Sequence, residues 1–346
     1  MKKFIIFRTD RLGDFLIITN IIQAIKKKYK DSHITLVGSP YNKKIINSYR
    51  TIDKVITHDK NNSLHKKISI FINIIKSNYY CSLCLDGKSF SSFTNMFLKA
   101  KKKYGISYVF NFFDFIISFK WSKPNFIYNY LFFDRFETFS SKKNLSKTEH
   151  LPSLLIKLAN NLDLKLNAKN KYFYEINKKN IFLSKKLFNK KIKTKFILIH
   201  LDEKWNDILF ISNELSSELI NFQKKTNKKI VITSNKNMNI YYRNLKNSLK
   251  KSKKFVFLEN LKLPIFERMI AMSSFSISCH SGFLVQISGF NKTNIIDIIN
   301  KRDLTWYSCW KPLNTKHKFV YKSNFNKRFR LKSIFKQIIT ASKSFK

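Results

Sequence analysis

Phe7-Arg8-Thr9-Asp10-Arg11-Leu12-Gly13-Asp14-Phe15 follows the apolar run Phe4-Ile5-Ile6 near the start of the sequence. An apolar strand ends here, a short polar loop holds a single glycine, and a helix begins at an acidic residue. That order is the first turn of a βα unit in a parallel sheet. Gly13 lets the backbone turn tightly and leaves amides open toward a ligand. Asp14 stands at the helix start, where a carboxylate caps free amides. A carboxylate at the mouth of a cleft can instead accept a proton from a hydroxyl. Both readings stand at this point.

Outward from this segment the first half alternates short β-type runs with helical patterns. Strands are expected over Lys3–Arg8, His33–Val37, Lys54–Thr57 and Tyr80–Leu85, with a helix over Asp14–Tyr29. A less regular aromatic stretch runs from Tyr104 to Phe139, and a helix is expected over Glu149–Leu164. After a Lys- and Asn-rich region containing an expected helix at Ile181–Phe188, the alternation resumes with strands at Lys195–His200, Lys229–Thr233, Lys254–Leu258, Ser274–Ser278 and Asn294–Ile298. Helices are expected over Ile208–Thr226, Asn239–Leu249, Pro264–Met272 and Ser281–Ser288, and a last basic, amphipathic one closes the chain. Strands separated by helices imply βαβ units and parallel sheets covered on both faces. The expected organisation is a first Rossmann-like domain over residues 1–185, a second over 186–325, and a closing helix over 326–346. Two such halves place a cleft between domains, at the carboxyl ends of both sheets.

The composition agrees. A chain of 346 residues exceeds a single hydrophobic core, and its 44% hydrophobic content fills two. Four cysteines are too few for a disulfide framework in a chain this long. Cys81 and Cys84, spaced like a redox or zinc pair, sit inside the apolar run Tyr79–Leu85 and read as core thiols. Only four apolar residues separate Met1-Lys2-Lys3 from Arg8, far short of a signal-peptide core, and no stretch resembles a membrane span. The expected location is therefore the cytoplasm. The net charge of +46 favours a polyanionic partner, either an anionic membrane met peripherally or a phosphorylated glycolipid. The lysines are spread along the whole chain and no nucleic-acid-binding module is visible, so nucleic acid is not expected as a partner.

Arg8-Thr9-Asp10-Arg11-Leu12-Gly13-Asp14 resembles the amino-terminal signature of glycosyltransferase family 9, the lipopolysaccharide heptosyltransferases. The resemblance spans roughly residues 3 to 312, and Gly13, Gly87, Gly105, Gly282 and Gly289 all fall in segments that align with the family. It implies the GT-B fold, two Rossmann-like domains facing across a cleft. It also implies an inverting transfer of heptose or a related sugar from a nucleotide-diphosphate donor, such as an ADP-heptose, to a glycolipid or oligosaccharide acceptor. Asp14 is then the catalytic base, with Gly13 beside the donor. Asp86-Gly87, with Ser89, Ser91 and Ser92 after it, resembles the family's fourth strand and polar loop, so Arg11, Asp86 and Ser89 are assigned to the acceptor.

Lys204, beside Trp205, resembles the family lysine that contacts donor phosphate, and Ser281-Gly282 matches its phosphate-binding helix start. His280 stands where the family has an aspartate, and Val285 where it commonly has histidine. His280 is assigned to the donor as a hydrogen-bond donor to diphosphate or sugar. The loop Ser234-Asn235-Lys236-Asn237 lacks the family's ribose carboxylate, and Glu267 is expected to face solvent. Trp306, Trp310 and Pro312 read as structural. No cofactor or metal is expected, because GT-B enzymes use protein groups where others bind a cation, and a monomer is usual for the fold. The rival reading, favoured by His280 and the missing carboxylate, is a non-catalytic binding protein on the same fold. A second rival is a polyanion-binding scaffold driven by charge alone.

Overall fold

The computed structural model describes residues 1–47, 49–108, 131–139, 150–167, 195–208, 212–235, 241–322 and 327–345. They divide into two units: the residues up to 167 with Ser308–Trp310, and the remainder from 195 onward. The domain boundary expected near 185 and the helix expected at Ile181–Phe188 lie outside the described residues.

In the first unit β1 (Lys3–Arg8) leads into α1 (Leu12–Ile17) and α2 (Thr19–Lys28), followed by β2 (His33–Gly38), α3 (Pro40–Ile46) and β3 (Lys54–Thr57). Then come α4 (Leu64–Ile75), β4 (Asn78–Cys84), α5 (Ser89–Phe97), β5 (Lys99–Tyr108), β6 (Arg135–Phe139) and α6 (Leu151–Asn160). All strand pairs are parallel, in the order β3-β2-β1-β4-β5-β6. Phe4, Ile5, Ile6 and Phe7 of β1 are wholly buried, as a central parallel strand covered on both faces requires. Each such side chain contributes about 1.5–3 kcal/mol by leaving water.

The second unit begins with β7 (Phe196–His200), a 3₁₀ turn (Glu203–Ile208) and α7 (Ser212–Thr226), then β8 (Lys229–Ser234), α8 (Tyr241–Leu249) and β9 (Phe255–Glu259). It continues through α9 (Leu263–Met272), β10 (Phe275–Ser278), α10 (Gly282–Phe290) and β11 (Asn294–Ile299) to α11 (Leu304–Ser308), β12 (His317–Tyr321) and α12 (Lys327–Lys343). Its sheet is also parallel, in the order β12-β11-β10-β7-β8-β9. Numbered within its own unit, each sheet has the doubly wound order 3-2-1-4-5-6. Chain direction across the sheet reverses between β1 and β4, and again between β7 and β10. Loops leaving the carboxyl ends of those strand pairs diverge, which opens a crevice for ligands at each switch point.

Several elements differ from the expectations. The first helix begins at Leu12 and gives way at Ile18 to α2, so Asp14 is the third helical residue and not the first. Ser89–Phe97 is a helix where a polar loop was expected. The ends of the aromatic stretch are strands β5 and β6, while its middle lies outside the described residues. Strand β12 was not anticipated. β5 reads Lys-Ala-Lys-Lys-Lys at its start and β12 opens with His317 and Lys318 before its three apolar and aromatic residues, so charge hid the strand pattern in both. The glycine that takes a left-handed backbone is Gly87, at φ +57°, where a Cβ would collide with the Tyr108 ring. All four cysteines are buried and free, as expected of core thiols.

Candidate functional site

At the first unit's switch point the organising residue is one the sequence reading passed over. Arg8 ends β1, is completely buried, and donates to the Leu85 carbonyl beyond β4 and, from Nε at 3.0 Å, to the Asp14 carbonyl. Its guanidinium lies 3.6 Å from the Asp10 carboxylate and 3.7 Å from that of Asp14, with the Trp310 ring 5.7 Å away. Burying a cation is costly unless it is paired, so Arg8 dictates a ring of acids. Asp86, 2% exposed, accepts from the Thr9 amide (3.1 Å), the Thr9 hydroxyl (2.6 Å), the Ser91 hydroxyl (2.8 Å) and the Lys88 amide (3.2 Å). It therefore ties the loop after β1 to the loop after β4. Ser39 and Asn42 hold the same loop from α3 by donating to the Asp10 carbonyl at 2.6 and 3.2 Å.

Asp14 is a helix cap that stays partly open. Its Oδ2 accepts from the Arg11 amide at 3.1 Å, the return arm of a helix cap, while the side chain keeps 26% of its surface exposed. Gly13 is buried within the first turn of α1, Arg11 is exposed at its start, and Ser89 opens α5 half-buried. Burial pushes the Asp10 carboxyl up to about 6, reinforced by Asp14 and Asp86 and opposed by Arg8 and Lys88. The described switch point thus gathers Arg11, Gly13, Asp14, Asp86 and Ser89 from the ends of two adjacent strands.

The second unit builds its switch point from cations and a helix end. Trp205, 1% exposed, donates its indole N–H to the His200 carbonyl at 2.9 Å and so fixes the 3₁₀ turn against the end of β7. Lys204 is thereby held next to the loop after β10, where its Nζ donates to the His280 carbonyl at 2.7 Å. Asp202 accepts from the Lys204 amide at 3.2 Å, and burial lifts its carboxyl to about 7 against the pull of Lys204. Ser281 stands at the N-cap position of α10 without a side-chain capping bond and Gly282 is its first helical residue, so the first-turn amides have no intrahelical partner.

His280 adopts a left-handed φ of +54°, and its ring lies tilted against that of Tyr307 with centroids 3.5 Å apart. Its Nδ1 lies 2.6 Å from Oδ2 of Asp297, a fully buried residue of β11 that His317 also approaches at 3.3 Å through Nε2. Burial alone would raise the Asp297 carboxyl, but the charge and hydrogen bond of His280, with those of His317, hold it down near 2. An ionised Asp297 on Nδ1 orients the imidazole and leaves Nε2 for a ligand. The signal for Asp297 was available, as the one carboxylate in Asn294-Ile295-Ile296-Asp297-Ile298-Ile299, just as Arg8 is the one charge in the buried part of β1.

Glu267 corrects an expectation. It is 1% exposed, not solvated, because α9 presents Phe266, Glu267, Met269 and Ile270 to the core. Neither carboxyl oxygen has a hydrogen-bond partner among the described residues, and burial pushes the group up to about 8 against the pull of Arg268. Pro312 is structural as expected, since it packs where a side chain at Gly289 would stand.

Each unit is thus a doubly wound Rossmann-like sheet, and two in tandem are the α/β class of the GT-B fold. No protein-family model matches the chain, and no curated protein sequence matches it. Solved structures do. A glycosyltransferase family 9 protein from Veillonella parvula DSM 2008 is 14% identical with a TM-score of 0.69, covering 99% of this chain and 97% of that one. The E. coli heptosyltransferase WaaC with ADP is 12% identical with a TM-score of 0.61, covering 99% and 98%. UDP-GlcNAc 2-epimerase from Neisseria meningitidis, bound to UDP-GlcNAc, is 13% identical with a TM-score of 0.60, covering 100% and 93%. The likeness at these identities is one of fold. Among the described residues no helix is long and apolar enough to cross a membrane.

Proposed function

We propose that the chain is an inverting glycosyltransferase that moves a sugar from a nucleotide-diphosphate donor to a hydroxyl of a glycolipid or oligosaccharide acceptor, with heptose or a related sugar as the first candidate. The observation that carries this reading is the chemistry at the two switch points. One bears a partly exposed carboxylate, Asp14, and the other bears Lys204, His280 and the open start of α10. In the reaction Asp14 takes the proton of the acceptor hydroxyl as that oxygen bonds to the anomeric carbon. The bond from that carbon to the diphosphate oxygen breaks, and its electron pair stays on the leaving diphosphate. Lys204 and the amides at Ser281–Gly282 stabilise that charge, with His280 assigned beside them to the donor. Attack from the face opposite the leaving group inverts the anomeric carbon. Arg8 and Asp86 act behind Asp14 by holding its loop; Asp86, first assigned to the acceptor, is buried with its carboxylate engaged by Thr9, Ser91 and Lys88, and Arg11 and Ser89 remain assigned to the acceptor.

The non-catalytic alternative keeps one observation in its favour: Asp14 is already engaged as a helix cap and beside Arg8. The two readings separate by measurement. Thermal stabilisation by ADP, UDP and GDP and their sugar conjugates, lost in Lys204→Ala, identifies the donor site. Product formation with a matching acceptor, abolished in Asp14→Asn with donor affinity kept, supports the transferase. Stabilisation without turnover for any donor–acceptor pair supports the binding protein.

A further inference from the structure

Helix α4 carries Leu64, Ile68, Phe71, Ile72 and Ile75, which fall on one stripe at helical spacing. A stripe of this kind ordinarily faces a core, yet Ile74 is the buried residue of this helix, with Ile70 packed beside it against the sheet. The stripe points elsewhere: Leu64 is 73%, Ile68 47% and Ile72 40% exposed. Phe71 extends it onto α5, edge-on to Phe97 at 5.7 Å, and Phe97 is itself 48% exposed. The helix is apolar on two faces and buries one of them. A contiguous exposed patch of this kind marks an interaction surface.

The charge around the patch says what covers it. Between Lys54 and Tyr108 the sequence holds ten lysines against Asp59 and Asp86, and Asp86 is buried. Lys66 and Lys67 lie on α4 itself, with Lys60 before it, Lys76 after it and Lys99 just past Phe97. A second copy of a chain with net charge +46 would bring like charge to this face. We infer that the α4–α5 face of the first unit docks on an anionic lipid bilayer. Leu64, Ile68, Ile72 and Phe97 enter the boundary between headgroups and acyl chains, and the flanking lysines remain at the lipid phosphates. The inference is independent of the proposed catalytic reaction.

The test is flotation of the full-length protein with vesicles of phosphatidylcholine alone or of phosphatidylcholine with phosphatidylglycerol. Wild type is expected on the anionic vesicles and not on the neutral ones. Ile68→Ser/Ile72→Ser/Phe97→Ser is expected to lower partitioning by about tenfold or more with circular dichroism unchanged. Lys66→Gln/Lys67→Gln is expected to weaken binding and flatten its salt dependence. Absence of wild-type binding to anionic vesicles overturns the inference. So does unchanged binding of the triple serine variant, which would reduce the attraction to charge alone. A wild-type dimer that the same variant converts to monomer in sedimentation equilibrium assigns the face to a second copy and overturns it equally.

Discussion

Replacing Glu267 by glutamine removes a titration and leaves the shape of the side chain. In the unfolded chain this carboxyl ionises near 4.5; in the folded chain burial holds the proton until about 8. Between those values the native state carries a proton that the unfolded state has released, so folding stability falls as pH rises. Each unit of pH across the window costs ~1.4 kcal/mol, and from about pH 5 to pH 8 the loss integrates to about 3–4 kcal/mol. Glu267→Gln does not titrate and escapes that loss. The amide adds a constant offset from its own buried polar groups, so the slope of the difference is diagnostic and its level is not. His200, which burial lowers to about 4, titrates in both proteins and cancels. The assay is urea unfolding followed by circular dichroism at several pH values, wild type beside variant. The variant is expected to gain about 3 kcal/mol on wild type between pH 5 and pH 8. Parallel stability curves would refute the reasoning, because they would mean that an ionised Glu267 finds water or a partner.

Three further outcomes are expected. Asp14→Asn, which still caps α1, should keep the melting temperature within a few degrees while lowering turnover by about a thousandfold or more, measured with whichever donor and acceptor the binding panel selects. His280→Asn tolerates the left-handed backbone but loses the imidazole, so nucleoside-diphosphate affinity by calorimetry should fall about tenfold, one charge-assisted hydrogen bond's worth, with the fold retained. Gly87→Ala meets both φ +57° and the Tyr108 ring, and a loss of about 1–3 kcal/mol in urea unfolding is expected.

Much of the architecture was legible because parallel strands buried on both faces are plain apolar runs. Phe4–Phe7 and Phe196–Ile199 could be read from residue type alone, and the polar residues just beyond them mark sheet ends. The elements that escaped are those whose burial is partial or whose charge is high, β5 and β12 above all. At the candidate site the loop residues were legible because glycine, aspartate and lysine after a strand carry obvious chemistry. The residues that hold them were not. Arg8, Asp86 and Asp297 do their holding through partners 77 and 17 residues away in sequence, pairs that the topology creates and no local pattern displays. Glu267 failed for a related reason: the period of α9 admits it to the inner face, and charge argued for the outer one.

The left-handed backbone at His280 carries a consequence for how such a site can change. Apart from glycine, the residues that occupy this region with any ease are asparagine, aspartate and histidine. Those three offer a neutral amide, an anion and a switchable cation. A lineage can therefore reset the electrical sign at the end of β10 by single replacements, with no loop remodelling and no insertion, while most other side chains are barred by backbone strain. The position is narrow in what it tolerates and wide in what it can select, and tuning of ligand preference is expected to concentrate there.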